Sequence, residues 1–144
     1  MNPRHAALLL WIGSGFLAGC TGPPPVSVEP GHPRDVRVIF TTAVDENSDP
    51  VSDLRQVPLG PEPVYVYVSW LDVEPRLYAY RLEIFDGDGQ LVSVQRMNFE
   101  ARAATWNTYS WYRPKPNVDA PGTWRFDFYL DDRLVLQSQL EVEP

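Results

Sequence analysis

The sequence predicts an all-β chain folded as an antiparallel two-sheet sandwich of about seven strands. Three observations carry that prediction. Apolar and polar residues alternate with period two along seven separate runs between Asp35 and Val142, the signature of half-buried strands. Short segments rich in Gly, Asp and Pro punctuate these runs and supply turn chemistry. No stretch holds a helical period. The best candidate, Glu100 to Ala104, gives at most one turn.

In the first run Val36, Val38 and Phe40 share a face. After a polar loop, Val64, Val66, Val68 and Trp70 alternate with Tyr65, Tyr67 and Ser69. Tyr80, Leu82 and Ile84 then alternate with Arg81 and Glu83. Asp86-Gly87-Asp88-Gly89 leads into a fourth run, Leu91 to Met97, with Gly available for positive φ. Thr105 to Tyr112 is the fifth. Pro121-Gly122 sets the entry to a sixth, where Trp124, Phe126, Phe128 and Leu130 alternate with Arg125, Asp127 and Tyr129. Asp131-Asp132 joins it to the last run, Leu134, Leu136, Leu140 and Val142. Seven such strands suit a two-sheet sandwich, and a small closed barrel is the alternative.

Two of these segments resemble a known fold family. Pro121-Gly122-Thr123-Trp124-Arg125-Phe126-Asp127-Phe128-Tyr129-Leu130-Asp131-Asp132-Arg133-Leu134-Val135, ending in Leu140-Glu141-Val142, is similar to the final hairpin of bacterial immunoglobulin-like domains. Those domains often enter a strand through Gly-x-Trp and turn over an Asp/Gly pair. Tyr80 to Val92 resembles a central hairpin of the same class. The resemblance covers most of residues 35–144 and implies an immunoglobulin-like sandwich, a fold that hosts many roles. Asp131-Asp132 departs from the usual Asp-Gly or Asn-Gly of such a turn.

The N-terminus carries a different signal. Arg4 precedes a mostly apolar run, Ala6 to Phe16, which ends at Leu17-Ala18-Gly19-Cys20. That run has the length of a signal-peptide h-region and is too short for an ordinary transmembrane helix. The four residues resemble a bacterial lipobox, where cleavage before the Cys is coupled to its lipidation. The resemblance implies a signal peptide over 1–19 and a diacylglyceryl-modified, N-acylated Cys20, anchored stably by more than one chain. An ordinary signal peptide or an uncleaved anchor is the alternative. Thr21 stands where an Asp retains lipoproteins at the inner membrane in some bacteria, so the outer membrane is favoured. Five prolines among residues 21–34 then favour an extended tether. The domain proper is expected at 35–144.

Charge and composition exclude several functions. The chain has 144 residues and a net charge of −7. Cleavage leaves residues 20–144 with 11 basic and 19 acidic side chains. An acidic chain argues against nucleic acid and against polybasic membrane contact. The only cysteine is Cys20 and the only histidines are His5 and His32. No disulfide, no Cys/His zinc site and no histidine-based triad is therefore expected in the domain. Glu83, Glu100, Asp127 and Glu141 show no spacing that selects a glycosidase pair. A non-enzymatic module without cofactor is the expectation.

Two groups of residues invite a binding role. Asp45, Asn47, Asp49 and Asp53 occupy positions 1, 3, 5 and 9 of an EF-type calcium loop. Pro50 stands where that loop needs Gly, and Gln56 where it needs a bidentate Glu, so a solvated acidic loop is the plainer reading. Aromatics are the larger surplus. Along Thr105–Tyr112, Trp106 and Tyr112 share one face while Tyr109 and Trp111 share the other, and both cannot be core. Tyr65, Tyr67 and Tyr129 also fall on outward faces. Either cross-strand pairing covers the sheet, or exposed rings anchor a protein or stack on a glycan. The expected patch is Tyr65, Tyr67, Tyr109 and Trp111, rimmed by Arg113 of the loop Arg113-Pro114-Lys115-Pro116. Its expected partner is another envelope protein, with a glycan as the alternative.

Overall fold

The computed structural model describes residues 33–144; the expected signal segment 1–19, Cys20 and most of the 20–34 tether lie outside the described residues. Eight strands form: β1 (Asp35–Thr41), β2 (Gln56–Pro58), β3 (Val64–Leu71), β4 (Leu77–Phe85), β5 (Leu91–Glu100), β6 (Thr105–Tyr112), β7 (Gly122–Leu130) and β8 (Arg133–Glu143). They build a three-stranded sheet, β1-β3-β6, and a five-stranded sheet, β2-β8-β7-β4-β5. The pairing of β3 with β6, opposite β4, β7 and β8, is the strand arrangement of an immunoglobulin-like sandwich. The chain is thus all-β, as its alternation predicts. The strand beyond the expected seven is β2, which pairs parallel to β8 through Val57 and Val142. Three residues ending in proline carry no period, and Pro58 suits only a short edge strand.

The period-two pattern sends one face of each strand inward. Val66, Val68 and Trp70 of β3 meet Tyr80, Leu82 and Ile84 of β4 and Trp124, Phe126 and Phe128 of β7, all buried. Phe99 of β5 stacks on Trp70 and on Tyr78, with ring centroids 5.5 and 5.3 Å apart. Phe40 meets Phe126 at 4.6 Å. The Trp70 indole N–H donates to Thr108 Oγ1 at 2.9 Å, so the buried ring leaves no orphan donor.

The loop ends are tied by buried carboxylates. Asp86 is 3% exposed. Its Oδ1 accepts from the amides of Asp88 and Gln90 at 3.1 and 2.9 Å, and its Oδ2 from the Ala120 amide at 3.0 Å. The Ala120 carbonyl in turn accepts from Gly87 N at 3.1 Å and from Trp124 Nε1 at 2.7 Å. A Cβ on Gly87 would lie 1.8 Å from the Pro121 carbonyl oxygen, so only glycine fits there. Next along the loop, Asp119 accepts from the Tyr112 hydroxyl and the Lys115 amide, both at 2.8 Å. Asp86-Gly87-Asp88-Gly89 is therefore a hairpin turn that also locks the entry to β7.

The β7–β8 hairpin turns over Asp131 and Asp132 with φ of 48° and 63°. Two positive φ values in a two-residue loop make a type I′ turn. Asp tolerates that region better than most residues, and here both side chains are held. Asp131 Oδ1 accepts from Ala79 N at 3.0 Å, its Oδ2 pairs with Arg76 at 2.8 Å, and Asp132 pairs with Arg81 at 3.0 Å. The aspartates thus do what Asn-Gly does elsewhere and also pin the hairpin tip to β4.

Trp124→Ala is expected to cost about 3–5 kcal/mol, since it leaves a cavity beneath β7 and removes one of the two donors to the Ala120 carbonyl; equilibrium denaturation measures this. A second expectation concerns alkaline pH. Burial raises the Tyr80 hydroxyl above its ordinary 10.0, and burial with the adjacent Asp119 and Asp86 charges raises that of Tyr112. The folded state then keeps protons that the unfolded state releases, so stability holds up to about pH 10 and falls above it. Melts across that range, with Tyr80→Phe and Tyr112→Phe each flattening the decline, check the sign.

Candidate functional site

The outer face of the three-stranded sheet carries the candidate residues, and register places them in rows. Thr41, Tyr65 and Trp111 lie side by side across β1, β3 and β6. The next row is Ile39, Tyr67 and Tyr109. Arg113 follows β6, with its guanidinium 6.0 Å from the Trp111 ring centre. The opposite faces of the same strands are core. Tyr112 is buried and Trp106 packs partly buried against the core cluster, so the two aromatic faces of β6 divide as their spacing predicts.

Tyr109 is 43% exposed and Trp111 54%, whereas Tyr65 is half-buried and Tyr67 only 4% exposed. Tyr67 is thus a correction to the expected patch. It does point outward, but outward is not uncovered. The polar segment after β1 returns over the sheet. Thr41 Oγ1 contacts Ser52 Oγ at 3.0 Å and accepts from the Ser52 amide at 3.1 Å. Val44 bridges to Pro50 and Phe40 to Leu54. Burial, and the nearby charges of Asp49 and Asp45, raise the Tyr67 pKa above its ordinary value. The acidic loop is solvated as expected, with Asp45, Glu46, Asp49 and Asp53 exposed, and its tie to Thr41 also holds it beside the aromatic rows. Nothing in its composition announces this, because its anchors are single hydroxyls and short bridges rather than an apolar period.

Two of the four calcium candidates, Asp45 and Asp53, are bonded locally. Asp45 Oδ1 accepts from the amides of Asn47 and Asp49, both at 2.9 Å, and Asp53 pairs with Arg55 at 3.1 Å. Among the described residues, no three His, Cys, Asp or Glu side chains gather as a metal site.

The edge of β6 is occupied by a residue the sequence did not single out. Gln95 of β5 donates its side-chain amide to the Trp111 carbonyl at 2.9 Å. It closes an edge position where an added strand would pair. What β6 offers at Trp111 is its ring face rather than its backbone.

The outer face of the five-stranded sheet carries arginines matched to its own rings and carboxylates. Arg81 lies 4.1 Å over the Tyr129 ring and pairs with Glu83 and Asp132 at 3.1 and 3.0 Å. Arg125 lies 4.0 Å over Phe85 and pairs with Asp127 at 3.1 Å. Tyr129, also expected outward, is half-buried on this face. A depression of about 110 Å³ lined by Arg81, Arg96, Asn98 and Asp132 sits on this face, well below the roughly 300 Å³ of a small-molecule pocket.

No family model matches the sequence, and no curated protein matches it. Among solved structures, an immunoglobulin-like protein from Pseudomonas aeruginosa is similar over 78% of this chain and 100% of its own, at 16% identity and a TM-score of 0.42. An alkylpurine DNA glycosylase from Pseudomonas fluorescens is similar over 62% of this chain and 28% of its own, at 11% identity and a TM-score of 0.45. A β-glucosidase from Listeria innocua is similar over 76% of this chain and 16% of its own, at 11% identity and a TM-score of 0.46. The similarity spans the whole of the first protein and a minor part of the other two.

Tetranitromethane nitrates accessible tyrosines, so Tyr109 is expected to react in the folded protein and Tyr67 to be spared. Ser52→Ala removes the hydroxyl that holds the loop to Thr41, and is expected to raise Tyr67 nitration severalfold. Peptide mass mapping reads both.

Proposed function

We propose that this chain is a lipid-anchored protein of the bacterial envelope whose sandwich is a non-catalytic protein-interaction module. The observation that carries the reading is the pair Tyr109 and Trp111, exposed side by side on an edge strand, with half-buried Tyr65 behind Trp111. Large rings left on a surface anchor interfaces because they bury much area at little entropic cost. The anchor rests on Leu17-Ala18-Gly19-Cys20, and Thr21 favours the outer over the inner membrane. The partner in this reading is another envelope protein. An immunoglobulin-like sandwich supports a module of this kind without selecting it.

Glycan binding is the second reading, favoured by the placement of Tyr109 and Trp111 on one sheet face where a sugar could stack. In-cell crosslinking of the full chain tests both. Tyr109→Ser with Trp111→Ser is expected to abolish protein capture while shifting the melting midpoint by no more than about 3 °C, because these rings lie outside the core. A large loss of stability would show that they are core and defeat the proposal. Saturable binding of cell-wall polysaccharide that needs the same two rings would replace it with the glycan reading. Cys20→Ser is expected to abolish incorporation of labelled acyl chain and release the protein from membranes.

A further inference from the structure

Among the described residues, four arginines lie over aromatic rings. Three of them also meet a carboxylate of the same chain. Arg76 lies 3.8 Å over Tyr78 and pairs with Asp131 at 2.8 Å. Arg81 lies 4.1 Å over Tyr129 against Glu83 and Asp132, and Arg125 lies 4.0 Å over Phe85 against Asp127. The ring face and the carboxylate both attract the cation, and the planar guanidinium satisfies both at once.

The fourth, Arg113, differs in both respects. Its guanidinium stands 6.0 Å from the Trp111 ring centre, and no carboxylate among the described residues pairs with it. Asp119, six residues further on, is buried and accepts instead from the Tyr112 hydroxyl and the Lys115 amide. Glu62, just before the start of β3 opposite Tyr112, makes no ion pair. A guanidinium without a carboxylate to anchor it is not held down on its ring, which accounts for the longer approach.

The surroundings present this cation rather than cover it. Arg113 is exposed and Trp111 is 54% exposed. The loop behind them is fixed: Pro114 is buried, and the Lys115 carbonyl accepts from the amides of Val118 and Asp119 at 2.9 and 2.8 Å. Ring and cation therefore project from backbone that need not be ordered on binding. Lys115 is also exposed and makes no ion pair among the described residues. Two open cations thus stand within three residues on a chain whose net charge is −7.

We infer that the partner lays an aspartate or glutamate side chain against Arg113 beside Trp111, supplying from outside the carboxylate that the domain supplies to its other three ring-stacked arginines. The inference rests on the protein-interaction reading above and names the chemistry of the partner's contact. The occupant is an acidic segment of a protein that also carries an aromatic side chain for Trp111. At physiological salt, charges farther apart than about 8 Å are largely screened, so such a segment responds to Arg113 more than to the acidity of the whole chain.

The test uses the full chain and an alternating Glu-Tyr nonapeptide, with the Gln-Tyr peptide as its neutral isostere. Calorimetry at physiological salt is expected to show the glutamate peptide binding about threefold or more tightly than the glutamine peptide. Arg113→Gln is expected to erase that difference, and Trp111→Ser to weaken both peptides. Arg96→Gln, which removes an exposed arginine without an ion pair from β5 of the other sheet, is expected to leave the difference intact. Absence of binding by the glutamate peptide, or equal binding of the two peptides, would mean that no carboxylate is read. Equal loss in Arg96→Gln would mean that only net charge is felt. Each of these overturns the inference. In-cell crosslinking separates them from failure of the interaction reading: capture that needs Tyr109 and Trp111 but survives Arg113→Gln keeps the surface and removes the carboxylate.

Discussion

The Asp86 carboxylate holds together more of this fold than any other single group. It is buried among three backbone amides, and a charge taken out of water needs such donors to offset its lost hydration. Two of them shape the β4–β5 turn. The third belongs to Ala120, at the entry to β7, where the chain returns to the five-stranded sheet. Once Ala120 is fixed, its carbonyl orients the Trp124 indole, and its neighbour Asp119 takes the Tyr112 hydroxyl from the other sheet. Both sheets are thereby registered at one end of the sandwich by hydrogen bonds rather than by a disulfide. That suits a domain with no cysteine of its own.

Strands were legible because burial on one face leaves a period of two that no turn or helix imitates. Val66, Val68 and Trp70 had to face the core, and do. The division of Trp106 and Tyr112 from Tyr109 and Trp111 was legible for the same reason. What alternation does not encode is what lies over the outer face. Tyr67 and Tyr109 sit in the same row, yet one is covered and the other open, because a loop arriving from β1 lies on the first. That decision belongs to Thr41 and Ser52, eleven residues apart, and two hydroxyls form no pattern. β2 was hidden for a similar reason. Its pairing partner is Val142 at the far end of the chain, and three residues hold no period.

The chain has 12 basic residues, of which only Lys115 is lysine. The structure supplies a reason for the preference. Guanidinium groups lie over Tyr78, Phe85 and Tyr129, each also meeting a carboxylate. A planar, weakly hydrated cation can stack and pair simultaneously, whereas an ammonium is a compact and strongly hydrated point charge. Arg81 and Arg125 therefore cover Tyr129 and Phe85 on the outer face of the five-stranded sheet with charge that is already matched, while Arg76 lies over the core ring of Tyr78. The two outer faces differ accordingly: one lays paired arginines over its rings, the other leaves Tyr109 and Trp111 exposed.

The register of β1 adds a direction to this asymmetry. Asp35 enters the sheet opposite Leu71, which lies opposite Thr105, while Thr41 lies in the row of Tyr65 and Trp111. Six strand steps at about 3.3 Å separate the two ends by about 20 Å. The chain therefore enters this sheet at one pole and displays Trp111 at the other. A sandwich gripped by its N-terminal segment would carry its open rings on the tip farthest from the grip, as a reaching hand carries its fingers.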